Sequence, residues 1–155
     1  MKSIVQVRDR GAKKRLANLK RPAHVTVGVH ADDGAEPDGD SGITVAEVAA
    51  IHEFGLGVTE RSWLRDFVAQ NRAQLLQMLR DQAKRVVLGA DAAREMDRFG
   101  LVVVGMVKER IIAGIDPPLA PQTLVQKLAI TGAPKETPLV LFGQFISSIA
   151  HQVNK

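Results

Sequence analysis

The stretch SWLRDFVAQNRAQLLQMLRDQAKRVVLGADAAREMDRFGLVVVGMVKERIIA, residues 62–113, decides the fold. In its first half Leu64, Phe67, Val68, Leu75, Leu79 and Val86 recur at the spacing of one helix face, and Ser62 stands where an N-cap would open a helix running to about Leu88. Gly89 breaks the pattern. Asp91 then begins a second helix to about Ala113, with Ala92, Met96, Phe99, Val103, Val107 and Ile111 at nearly heptad spacing. Two apolar-faced helices with so short a link are predicted to pack as an antiparallel hairpin.

Upstream, AHVTVGVH (residues 23–30) alternates Val25, Val27 and Val29 against His24, Thr26 and Gly28, the period-2 pattern of a half-buried strand. An acidic, Gly-rich loop follows from Ala31 to Gly42. Thr44 caps a short helix through His52, with Glu47 three residues on to complete a capping box; Phe54, Gly55 and Gly57 end it. Nearer the start, Ser3–Val7 reads as a short strand and Arg8–Lys20 as a basic helix. Downstream, Pro117 and Pro118 forbid helix continuation, and Pro121–Lys127 reads as a short helix or turn. Thr131–Thr137 reads as a loop and Leu141–Ile146 as a helical turn. Ser147–Val153 then alternates as a terminal strand, placed to pair with residues 23–30. The predicted fold is α+β, one domain over residues 1–155: a small, mainly antiparallel sheet packed against a long antiparallel helical hairpin.

A chain of 155 residues fits one domain and can bury roughly two thirds of its unfolded surface. There is no cysteine, so no disulfide, thiolate nucleophile or thiolate metal site arises. The charged N-terminal residues do not read as a secretory signal, and the longest apolar run, LVVVGM, is too short to span a bilayer; a soluble protein with no membrane partner is expected. Five Phe, one Trp and no Tyr leave little for serial stacking on nucleic-acid bases. Charge is unevenly spread: net +7 over residues 1–21, −8 over residues 22–60, where no Lys or Arg occurs, and +5 over the remainder. Such asymmetry suits contacts between copies of one chain, or a basic face turned to DNA phosphates; a solvated helix and loop give the same pattern.

Catalytic constellations are missing from the sequence. His52 and Glu53 are adjacent, and on a helix they point about 100° apart, so they do not serve one metal or one proton transfer; a hydrogen bond closing the helix end is the expected role of His52. The segment DDGAEPDGDSG is rich in Asp but lacks the ligand alternation and terminal Glu of a calcium loop. Asp32, Asp33, Asp38 and Asp40 would need distant acids and a rigid strand to form a two-metal nuclease site. No metal, cofactor or catalytic residue is expected. In RSWLR, Arg61 and Arg65 stand at i and i+4 and Trp63 is either an interface anchor or a core plug. In PPLAPQTLVQK the prolines fix an extended approach and set Thr123 and Lys127 on the following turn, or serve only as a rigid connector.

PPLAPQTLVQK (residues 117–127) with PLVLFGQFISSI (residues 138–149) resembles the signature PPLxPxTxxxK…PLxxTGxLxxSI of small tailed-phage and prophage neck proteins. IHEFG (residues 51–55) followed by RSWLR (residues 61–65) is similar to their (H/E)xFG…RPFLR block. The group is variously called tail-completion, head-tail connector or virion-morphogenesis proteins, and the resemblance covers roughly residues 44–68 and 117–153. Ser62 stands where the family usually has proline, Trp63 where it has phenylalanine, and Phe142 where threonine precedes GQ; in other branches the blocks occur in the opposite order.

The resemblance implies a non-enzymatic structural protein of the virion. It would form a ring of about six or twelve identical copies between head and tail, bound to neighbouring neck, connector or tail-tube proteins, and would assemble in the host cytoplasm. Interface contacts are then expected around His52, Phe54, Arg61, Trp63, Leu64 and Arg65 of the first block and Pro118, Leu119, Thr123 and Lys127 of the second. Asp38 and Asp40 on the acidic loop would meet a basic surface of the next copy. Arg8, Arg10, Lys13, Lys14 and Arg15 would line a lumen and touch passing duplex DNA without sequence preference. Alternative readings are a DNA-binding module built on the basic helix and a metal-dependent nuclease.

Overall fold

The computed structural model describes residues 11, 17, 23–32, 34–37, 42–131 and 143–154. The order along the chain is β1 (His24–Val29), α1 (Val45–Phe54), α2 (Arg65–Val87), α3 (Ala92–Ala113), α4 (Pro121–Thr131), α5 (Gln144–Ser147) and β2 (Ile149–Asn154). The strands pair antiparallel, and the sheet packs on α3, whose other flank meets α2. The fold is therefore α+β, a two-stranded antiparallel sheet against a long helical hairpin. The expected strand at Ser3–Val7, the helix at Arg8–Lys20 and the loop beyond Thr131 lie outside the described residues.

Helix α1 shows how completely its local sequence specifies an N-terminus. Thr44 Oγ1 accepts from the Glu47 amide at 3.2 Å while the Thr44 amide donates to Glu47 Oε2 at 2.7 Å, which is the capping box read from the sequence. The first-turn amides of Val45 and Ala46 donate to Glu36 O and Gly34 O, both at 3.1 Å, and that of Val48 to Thr44 O at 3.0 Å. The four donors that a helix start leaves open, the amides of Thr44, Val45, Ala46 and Glu47, are thus all satisfied, and Val48 begins the regular ladder. The loop flank from Gly34 to Pro37 is fastened to α1 by this need. The two hydrogen bonds from Thr44 hold the Glu47 carboxyl below the usual glutamate range. A lowered folded pKa means the cap stabilises fully above that range and loosens as pH falls through the folded value.

The hairpin turns at Leu88–Asp91. Amides of Leu88, Gly89 and Ala90 close the end of α2 onto Lys84 O, Val86 O and Arg85 O, and Asp91 Oδ1 caps α3 by accepting from the Arg94 amide at 2.9 Å. Contacts at both ends fix the antiparallel sense: Arg85 Nη1 reaches Glu95 Oε2 near the turn, and Arg110 Nη1 donates to Gln70 Oε1 at the far end. Glu95 is buried, held by Arg85 and by Arg98 at 2.9 Å. Because α3 is covered by helix on one flank and sheet on another, its buried residues Phe99, Val103, Val107 and Ile111 form a four-residue ridge with Phe67 and Leu75 of α2 in the same core.

The register pairs Val25 with Val153, Val27 with His151 and Val29 with Ile149, so the predicted alternation faces the core on both strands. Strand β2 begins at Ile149, two residues later than expected. The hydroxyls of Ser147 and Ser148 both donate to Gln144 O, at 2.8 and 3.0 Å, and hold those residues in the helical turn of α5. His151 sits where α3 has Gly100, and His151 Nε2 lies 2.8 Å from Asp97 Oδ1. A Cβ on Gly100 would come within 2.4 Å of the imidazole and 2.9 Å of the His151 Cβ. Gly100→Ala must push β2 outward and is expected to cost about 1–3 kcal/mol, read from the midpoint of urea unfolding.

Candidate functional site

The two sequence blocks meet in space, and the meeting is built from the end of α1. Gly55 adopts the left-handed conformation (φ 64°) and the Leu56 amide closes back on Ile51 O at 2.9 Å, so the chain reverses after Phe54. A side chain at Gly55 would also strike Glu60, whose Cβ would lie only 2.9 Å away. The returning strand of chain is pinned by the Arg61 amide to His52 O at 2.8 Å. From there Arg61 turns inward, and its guanidinium donates to Pro117 O at 2.9 Å and Pro118 O at 3.2 Å. One buried arginine thus ties RSWLR to PPLAP.

Trp63 makes the second tie. Its indole is 3% exposed, donates from Nε1 to Ala49 O at 3.1 Å, and meets the ring of Phe145 edge-on with centroids 5.2 Å apart. Phe145 belongs to GQFISSI, so that string meets RSWLR and PPLAP at one joint.

Glu53 completes it. Its carboxylate accepts from the Leu64 amide at 3.0 Å, the Arg65 amide at 3.0 Å and Ser62 Oγ at 2.9 Å, and so caps α2 from the preceding helix. Ser62 Oγ accepts in turn from the Asp66 amide at 3.3 Å. Sequence reading assigns this cap to Ser62 alone and starts the helix there; the helix starts at Arg65 because the principal acceptor is a distant carboxylate. A signal for Glu53 existed in the sequence. A carboxylate in the last turn of a helix opposes the helix dipole, so it needs donors from elsewhere.

The remaining expected interface residues divide into two groups. Arg61 and Trp63 are buried within the chain and serve the joint, so neither is available to a partner. Leu64 is half-buried and packs on the core. His52 is half-buried, with its carbonyl used by Arg61. Exposed residues are Phe54, Arg65 and Pro118; Leu119, Thr123 and Lys127 are half-buried. Arg61 and Arg65 do not project together, because residues 61–64 precede the helix and the i, i+4 relation does not apply. Arg65 instead lies over the Phe54 ring at 5.4 Å and donates to Glu60 Oε1 at 2.6 Å and Glu53 O at 2.8 Å. Asp38, Asp40, Arg8, Arg10, Lys13, Lys14 and Arg15 lie outside the described residues.

An open groove of about 360 Å³ runs between β1 and α1, bordered by Thr26, Gly28, Ala50, Phe54 and Leu64. Among the described residues no three His, Asp or Glu side chains gather where a metal ion would sit, and no helix is long and apolar enough to cross a membrane. Arg61→Lys tests the joint. A single ammonium lacks the fork that spans two carbonyls, and the substitution is expected to cost about 1–3 kcal/mol while leaving the helical circular-dichroism signal of the folded state unchanged. Compared with known proteins, this chain matches no family model, no curated protein and no solved structure.

Proposed function

We propose that the chain is a non-enzymatic structural protein of a tailed-phage virion that closes into a ring at the head-tail junction, in tail completion or head-tail joining. The observation that carries the reading is the bond from Arg61 to Pro117 O and Pro118 O. Arg61, Trp63 and Phe145, within the strings that resemble the neck-protein signatures, hold distant segments together, and a wedge in a ring needs such a fixed shape. Identical wedges joined head to tail close when the rotation between them divides a circle. A ring of about six or twelve copies would bind adjoining neck or tail-tube proteins on its two ends, and passing DNA would meet basic side chains through phosphate contacts alone.

Native mass measurement with negative-stain electron microscopy tests this reading. Closed rings are the expected result, alone or on addition of the adjoining connector protein. A monomer or dimer that retards duplex DNA at physiological salt would favour the basic-helix reading instead, and nuclease activity that requires a divalent metal would overturn the structural role.

A further inference from the structure

We draw no further inference here: the strongest candidate, the open groove between β1 and α1 bordered by Gly28, Ala50, Phe54 and Leu64, has nothing in the structure to show what covers it.

Discussion

Trp63→Ala is expected to lower the unfolding free energy by about 3–5 kcal/mol, the usual range for emptying a large aromatic site in a core. The indole is almost fully buried between α1 and α5, so truncation removes its contact with Phe145 and leaves a cavity where two chain segments join. Trp63→Phe separates the contributions. Phenylalanine keeps a ring beside Phe145 and loses the Nε1 bond to Ala49 O, so a smaller loss of about 1–2 kcal/mol is expected. Far-ultraviolet circular dichroism in urea is the suitable readout, since Trp63 is the chain's one tryptophan and fluorescence would vanish with it. A loss below about 1 kcal/mol for the alanine variant would show that the joint is held without the indole.

Glu53→Ala is expected to cost about 3–5 kcal/mol. It strands the amides of Leu64 and Arg65 and the hydroxyl of Ser62 in a partly buried setting and removes the anion beside Arg65. Glu53→Gln keeps one good acceptor oxygen but turns an NH₂ toward an amide donor, so about half of that loss is expected. Hydrogen exchange locates the effect: amides of residues 64–66 should lose protection before those of the α2 interior. Equal protection in wild type and alanine variant would argue that water replaces the carboxylate without penalty. Because Glu53 and Trp63 belong to the same joint, the double variant should lose less than the two single losses together.

Local chemistry made much of the fold legible. The Thr44–Glu47 box, the alternation of Val25, Val27 and Val29, and the Asp91 cap depend on residues within four positions of one another, and each appears where the sequence puts it. The helical hairpin was legible because both apolar faces run for many turns with only Leu88–Asp91 between them. What was hidden depends on separation in sequence. The start of α2 is moved by Glu53, which no helix-start rule consults, and the i, i+4 spacing of Arg61 and Arg65 carries no shared face because the chain up to Leu64 precedes the helix. The candidate site was half legible. Its strings stand out in the sequence as interface blocks, but that they meet in one joint follows only from the inward turn of Arg61 and the meeting of Trp63 with Phe145.

The pairing of β1 with β2 has a consequence for synthesis. The strand pair closest in sequence, Val29 and Ile149, is separated by all five helices, so every β1–β2 pair is long-range. As the polypeptide emerges, α1, α2 and α3 can assemble from neighbouring residues, while β1 waits with its hydrogen-bonding edge open until Ile149–Asn154 has been made. A chain that lacks β2 keeps the hairpin but leaves open both the notch that His151 fills at Gly100 and the paired edge of β1. Such fragments should be ready targets for proteases.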